Sequence, residues 1–404
     1  MLNNPYNRPV LIIANSSWYL LHYRKLLLTK LKSKKVNVVS ISPIDNSTLE
    51  LSKLTLHVPW RISRSGNKNI FNLALSLIRL IFIFRTLKPK LVHSHTLKTN
   101  FLTAIASFCF GIPCILSFAG LGQLSSSRGL KRFLIILIFK IIRSLSFKQI
   151  GGKFIIKNFD RTKFIFQNKL DMLFLERIFR DIPDCNKILI YGSGVPLEYL
   201  DKKDRIHWID RPSNYESKIK CNLIYSGRLI RSKGIITFIK VAEKLKSQES
   251  AVFGSIDLSS ADSITEKELL IFKKEHRNII FNGVIKNPLL TQTYEFPILI
   301  VPSIYGEGLP RGILEAMILN IPVISSKKAS CDLFDDSLIY ISEKDSIPSY
   351  IDCINKIISD YRDKKLEIKL KKCEDFVRNN FLESHIVNKT ITLYDSIDKN
   401  LPKK

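Results

Sequence analysis

Short apolar runs alternate with helical periodicity twice along this chain, and that double alternation limits the fold more than any other feature. Val10 to Ala14 is an apolar run ending in the polar turn Asn15-Ser16-Ser17, so a strand feeds a loop. Tyr19 to Leu31 carries a helical pattern and Val36 to Ile41 reads as a second strand. A long apolar helix follows from about Ile70 to Leu87, then a strand over Leu91 to His93. Thr99 to Phe110 is helical, Cys114 to Phe118 a strand and Gly129 to Phe147 a helix, and Phe164 to Gln167 and Ile188 to Tyr191 close this half as strands. The polar stretch Gly192 to Glu216, with its glycines and prolines, reads as a linker. The pattern then restarts. Asn222 to Tyr225, Ala251 to Phe253, Ile279 to Phe281, Ile298 to Val301 and Pro322 to Ser325 are strands, and Ile235 to Lys246 and Ser349 to Asp360 are helices. Strands alternating with helices give parallel sheets covered on both faces. Two open α/β domains are expected, their sheets facing a central cleft where ligands meet the carboxyl ends of the strands. The expected boundaries are 1–195 and 196–385, with a C-terminal helix over 386–404 placed to return to the first domain.

At 404 residues the chain is long enough for two cores. Hydrophobic residues make up 45% and the mean hydropathy is +0.05, which excludes a disordered chain. No uninterrupted apolar run reaches the roughly 18 residues that span a bilayer. Met1-Leu2-Asn3-Asn4-Pro5 lacks the layout of a signal peptide. Seven cysteines, never spaced as CxxC, point to free thiols, so a cytoplasmic protein is expected. The net charge of +27 is unevenly placed. Residues 1–190 hold 30 Lys or Arg against 7 Asp or Glu, whereas the remainder holds 33 against 29. No acidic residue lies between Glu50 and Asp160. A chain-wide bias toward Lys, Ile and Asn would not confine the excess to one half. A positive half facing an anionic surface accounts for it better.

The run Tyr305-Gly306-Glu307-Gly308-Leu309-Pro310-Arg311-Gly312-Ile313-Leu314-Glu315-Ala316-Met317 follows the strand ending at Val301, and Pro302-Ser303 breaks that strand. Pro310 suits the first turn of a helix, where a missing N–H costs nothing. A strand, a tight glycine-bearing loop and a helix start present backbone N–H groups to a phosphate. Glu307 in the loop and Glu315 in the helix can accept hydrogen bonds from the hydroxyls of a sugar nucleotide. An ordinary βα turn with one solvated Glu is the plainer account of the carboxylate spacing alone. Ser226-Gly227-Arg228-Leu229-Ile230-Arg231-Ser232-Lys233-Gly234 follows another strand. There Arg228 offers a planar fork to a diphosphate and Lys233 a mobile charge, although such a string alone reads as a solvated loop. The GxxxxGK[ST] order of a P-loop is absent. His93 and His95 alternate at a strand end and face one side. Metal binding is one reading of that pair, but no third ligand has suitable spacing, and no metal or other cofactor is expected.

Taken together, these strings resemble the donor-site signature of retaining glycosyltransferases of family 4, which have the GT-B fold of two Rossmann-like domains. The resemblance covers most of the chain and is strongest from Leu223 to Ser326. It implies that Glu315 holds the ribose hydroxyls, that Glu307 faces the transferred sugar, and that the Gly308 and Leu309 amides meet the distal phosphate or the sugar. It implies that Arg228 and Lys233 bind the donor diphosphate, that Val284 and the strand end before it lie beside a uracil base, and that His95 touches the donor sugar; for His93 a structural role and a part in the site both stay open. Asn15-Ser16-Ser17-Trp18 stands where the family has a glycine-rich loop, so Ser16 and Ser17 are candidates to hydrogen-bond an acceptor. Gly120 and Gly122 resemble a glycine turn on the acceptor side. Arg24 is a candidate for an acceptor phosphate, or simply a surface arginine of its helix. Gly192-Ser193-Gly194-Val195 resembles the family's hinge turn.

No Asp-x-Asp is present to hold a metal on the diphosphate, and no carboxylate pair is placed like that of a retaining glycosidase. The resemblance implies retention through same-face attack without a side-chain nucleophile. The expected donor is a UDP-hexose or UDP-N-acetylhexosamine, and the expected acceptor a lipid-linked surface glycan. In Gly129 to Arg143, Arg132, Lys140 and Arg143 share a narrow arc of a helix otherwise apolar, which suits an anionic leaflet or a buried domain helix. A soluble acceptor remains open. So does a non-catalytic basic protein on membrane or nucleic acid, although no nucleic-acid motif is present and that reading leaves the carboxylates unexplained.

Overall fold

The computed structural model describes residues 8–62, 70–118, 120, 130–146, 148–150, 153–155, 162–178, 183–200, 219, 221–245, 249–258, 260–291, 294–305, 308–331 and 333–399. The chain divides into two compact units, Met1–Ser193 with Ser384–Lys404, and Gly194–Glu383.

The first unit runs β1 (Val10–Ile13), α1 (Ser17–Ser33), β2 (Val38–Ser42), α2 (Thr48–Leu54), β3 (Leu56–Pro59), α3 (Ile70–Leu87), β4 (Leu91–His95), α4 (Leu97–Phe110), β5 (Cys114–Phe118), α5 (Leu130–Ser146), the antiparallel pair β6 (Lys148–Ile150) and β7 (Lys153–Ile155), β8 (Thr162–Phe166), α6 (Lys169–Ile178) and β9 (Lys187–Leu189). Seven strands form one parallel sheet in the order β3-β2-β1-β4-β5-β8-β9. Strands β1, β2, β4, β5 and β8 are buried along their whole length, so none shows the alternation of a half-exposed strand, and polar members such as Ser40, His93 and His95 are buried among the apolar ones. The strand order reverses between β1 and β4, so a crevice opens beyond their carboxyl ends.

The second unit runs β10 (Asn222–Ser226), α7 (Ile235–Lys244), β11 (Ser250–Phe253), α8 (Glu266–Glu275), β12 (Ile279–Gly283), α9 (Pro288–Thr291), β13 (Pro297–Val301), α10 (Arg311–Ile318), β14 (Val323–Ser326), β15 (Tyr340–Ser342), α11 (Ile347–Arg362) and α12 (Lys365–Asn380). Its six parallel strands order as β12-β11-β10-β13-β14-β15. The reversal falls between β10 and β13, and the loops after those two strands are the motif-bearing ones.

The last helix, α13 (Glu383–Lys399), belongs to the first unit's core: Ile386, Val387, Ile391, Tyr394 and Ile397 pack with Leu27, Leu28 and Leu31 of α1 and Val10 and Ile12 of β1. The chain enters and leaves the second unit side by side, because the Val195 N–H donates to Phe381 O and the Glu383 N–H to Val195 O, both at 2.8 Å.

Candidate functional site

In the second unit two loops meet at the switch point. After β10 the Gly227 N–H donates to Phe253 O at 2.9 Å, the Leu229 N–H to Ser255 O at 3.0 Å and the Arg231 N–H to Asp262 O at 2.9 Å, so the loop is stitched down along its length. Gly254 permits this closeness, since a Cβ there would stand 1.8 Å from Gly227 O. The loop after β13 joins it through the Ile304 N–H, which donates to Ser232 O at 2.9 Å. Gly234, at φ +78°, lies against that strand end: a Cβ would stand 2.0 Å from Pro302 O. Only glycine tolerates both the left-handed backbone and the approach. The loop holding Arg228 and Lys233 and the segment leading into 305–317 are therefore one substructure.

Arg228 is 57% exposed and donates from Nη1 to Asp257 Oδ2 at 2.6 Å. The Lys233 side chain passes over Gly227, its Cδ 3.8 Å from where a Cβ of that glycine would stand. Helix α10 begins at Arg311 with Pro310 as its N-cap (φ −64°, ψ 110°), and no side chain caps it. The sequence reading put Pro310 inside the first turn; it stands one position earlier, and its ring still sets the entry angle. Gly308 and Leu309 are buried beside this helix start. Glu307 and Gly306 lie outside the described residues. Val284 follows β12 and is exposed.

Glu315 lies on α10 one turn beyond Arg311, whose Nε donates to its Oε1 at 2.7 Å. Burial pushes the Glu315 carboxyl up from the usual carboxylate range, against the charge and hydrogen bond of Arg311. The Tyr199 hydroxyl is fully buried beside Glu315, and burial first, then that carboxylate, raises the phenol's pKa. Asn287 Nδ2 donates to Glu198 Oε1 at 2.7 Å beside it.

In the first unit β4 ends in His95, which is fully buried with neither ring nitrogen hydrogen-bonded. The His93 ring lies 4.2 Å away between centroids and the Tyr19 ring 5.3 Å away. Burial holds the His95 pKa well below its ordinary value, helped by His93 and Arg24. His93 is engaged at both nitrogens, with Tyr394 Oη on Nδ1 and Ser117 Oγ on Nε2, each at 2.6 Å.

Three acceptor candidates stand differently from expectation. Ser16 is the N-cap of α1, its Oγ accepting from the Tyr19 N–H at 3.0 Å. Ser17 is fully buried, its hydroxyl within 3.0 Å of Ser42 Oγ, Pro43 O and Thr48 Oγ1, so both serines are committed inside the fold instead of facing a ligand. Arg24 is neither a surface arginine nor open to a large anion. It is 8% exposed, donates to Tyr23 O and Tyr19 Oη, and borders a water-sized cavity of about 10 Å³ with His93, Ser117, Gln167 and Thr390. Gly120 is described, half-buried at φ +93°, and Gly122 lies outside the described residues. The Arg311–Glu315 pair was missed, although its i,i+4 spacing is the signal that marks it. Tyr199, Asp257 and Tyr394 reach their places through tertiary structure, and no local pattern marks them.

Two family models match the chain: "Glycosyl transferase 4-like" over residues 9–150 and "Glycosyl transferases group 1" over residues 220–360. The chain is similar, at 24% identity, to the Staphylococcus aureus "Capsular polysaccharide biosynthesis glycosyltransferase CapM", with 82% of each chain covered. It is similar at the same 24% to the Campylobacter jejuni "N,N'-diacetylbacillosaminyl-diphospho-undecaprenol alpha-1,3-N-acetylgalactosaminyltransferase", over 96% of this chain and 98% of that one. A match at 26% to an uncharacterised 41.2 kDa protein of the Klebsiella pneumoniae cps region spans only 56% of that relative. Among solved structures, Anabaena HepE in complex with UDP shares the fold, with a TM-score of 0.68, 14% identity, and 96% of this chain and 100% of that one covered.

Proposed function

We propose that this chain, which belongs to the GT-B glycosyltransferases of bacterial surface-polysaccharide type, moves a hexose or N-acetylhexosamine from a UDP-sugar to a lipid-linked glycan in O-antigen or capsule synthesis. The observation that carries the donor reading is the junction of two loops at the second switch point. The Ile304-to-Ser232 hydrogen bond ties the segment of Arg228 and Lys233 to the one that ends in the uncapped start of α10. A diphosphate there would meet two cations and a helix start, and Glu315 on the same helix would take the ribose hydroxyls.

As the bond to the sugar breaks, negative charge grows on the leaving diphosphate. Preorganised cations and amides act most strongly on charge that develops in the transition state. Arg228 already sits on the loop, and its exposed pair with Asp257 is of a kind worth little in water, so a diphosphate would compete it away. His95, neutral because it is buried, would offer the sugar one donor and one acceptor. Glu307 would face the same sugar. Transfer would proceed with retention, by same-face attack on an oxocarbenium-like centre, without a metal or other cofactor.

The relatives named for undecaprenol-linked substrates and for capsule support a lipid-linked acceptor. The basic first half, without an acidic residue between Glu50 and Asp160, would rest on an anionic leaflet, in the cytoplasm at the inner face of the plasma membrane. The side chains of Arg132 and Arg143 lie outside the described residues, and Lys140 on the same helix is exposed.

Thermal unfolding with and without UDP, followed by a panel of UDP-sugars, tests this reading. UDP should raise the melting temperature, and Arg228→Ala should abolish the rise without lowering the unliganded value. The glycoside formed from an α-linked donor should be α-linked. A β-linked product would end the retaining mechanism, and binding that answers only to salt would favour a non-catalytic basic protein.

A further inference from the structure

We infer that Tyr394 of the terminal helix and His93 are positioning residues that fix the catalytic ring of His95. This deepens the proposed function and rests on its assignment of His95 to the transferred sugar. A side chain that handles a sugar hydroxyl must hold its ring plane before the sugar arrives. Rings usually take their orientation from their own hydrogen bonds, but His95 has none at either nitrogen. Its plane is set instead by the two rings packed against it. One is Tyr19, 5.3 Å away between centroids, whose hydroxyl accepts from Arg24 Nη2 at 3.1 Å. The other is His93, 4.2 Å away and tilted 44° to it.

His93 is rigid for a reason the sequence hides. Its Nδ1 is 2.6 Å from Tyr394 Oη, 301 residues further along the chain, and its Nε2 is 2.6 Å from Ser117 Oγ on β5. The Tyr394 ring also stands edge-on to it at 5.7 Å. With a hydroxyl at each nitrogen, the imidazole has one allowed plane. Tyr394 is held in turn by the apolar packing of α13 on α1 and β1. Buried polar groups normally find partners, and the pair of unused nitrogens on His95 is what a ring reserved for a ligand looks like. The groups that face His95 are His93 from its own strand, and Tyr19 and Arg24 from α1; Tyr394 from α13 and Ser117 from β5 face it through His93.

Tyr394→Phe keeps the ring and removes the hydroxyl. Turnover of whichever of UDP-glucose, UDP-galactose, UDP-N-acetylglucosamine and UDP-N-acetylgalactosamine the unmodified enzyme accepts should fall about 10- to 100-fold in kcat. KM for the donor and the melting-temperature rise with UDP should stay unchanged. The acid limb of the kcat profile should move toward higher pH, as the ring environment that holds His95 neutral loosens. Nitrogen-labelled histidine NMR reads the same geometry without turnover, and the His95 ring signals should shift in the variant. Ser117→Ala removes the other anchor of His93 and serves if Tyr394→Phe does not fold. Unchanged kcat, pH profile and His95 signals in a folded variant overturn the inference while His95→Ala remains inactive. If His95→Ala itself transfers sugar at full rate, the assignment of His95 fails, and the inference with it.

Discussion

Under the proposed function, Glu315 is the carboxylate that would read a ribose. A carboxylate that accepts from two hydroxyls must be ionised, yet burial favours its protonated form and raises its pKa. The Arg311 guanidinium, bonded to it at 2.7 Å, works in the opposite direction. Folding therefore binds this proton more tightly than the unfolded chain does, so Glu315 contributes stability at low pH that is lost as pH rises through its raised pKa. UDP binding should run the other way, weakening as pH falls, with an onset above the ordinary carboxylate range of about 4.3. Arg311→Ala should move that onset further up and weaken UDP about ten-fold at neutral pH, since a hydrogen bond to a charged group is worth roughly 1.5–3 kcal/mol. Glu315→Gln should remove the pH dependence. Calorimetric titration of UDP across pH checks all three, and an affinity that stays flat down to acid unfolding would count against the role. At this scale sequence showed the residue types but not their burial. The pairing of Arg311 with Glu315 went unread, although helical spacing alone makes them neighbours. Ser17 misled because a polar residue in a strand-helix turn looks available, and Arg24 because a helix arginine usually faces solvent, while tertiary packing closes over both.

Among elements, the parallel strands were readable because both their faces are buried, and the long helices because they are rich in apolar residues. Helix α8 was not, because it buries no residue fully and only Leu269 and Phe272 pack against the core, while the capping box of Thr265 and Glu268 fixes its start. Strand β3 is an edge strand with Leu56 62% exposed, so its pattern is mixed, and the Lys-rich α12 likewise has a low apolar content. The junction between the two loops of the proposed donor site is an element-scale feature with its own test. Gly234→Ala must place a Cβ on Pro302 O while keeping φ at +78°. Left-handed strain costs about 1–3 kcal/mol for a non-glycine residue, and the displaced strand end adds to it. Urea unfolding should show a loss of about 2 kcal/mol or more, and UDP binding should fall even under conditions where the variant is fully folded. Intact binding in a destabilised but folded Gly234→Ala would mean that the junction serves the fold and not the nucleotide.

For the whole molecule the informative quantity is where charge and exposed apolar surface coincide. Helix α3 presents Phe71, Ile78 and Phe82, each more than 60% exposed, with Arg79 and Arg85 exposed beside them. Helices α4 and α5 add Phe108, Phe110, Phe133 and Leu137, together with Lys140. None of the described helices is long and apolar enough to cross a membrane, so such a face would lie on a leaflet and not span it. Isolated exposed apolar residues need no explanation, but this set runs along helices in a stretch without acidic residues. Each Lys or Arg near an anionic surface adds about 1 kcal/mol at low salt, and the aromatic side chains add area that salt does not screen. Two separable contributions follow, and they predict a pattern. Sedimentation with phosphatidylglycerol vesicles should exceed that with phosphatidylcholine, and should fall but not vanish as salt is raised. Ile78→Asp with Phe82→Asp should remove the salt-resistant part, and because both side chains are exposed the variant should keep its melting temperature and its UDP response. Arg79→Ala with Arg85→Ala should remove part of the salt-sensitive binding only. Equal binding to both vesicle types, or binding lost completely in salt with the aspartates making no difference, would mean that the basic half serves something other than a membrane.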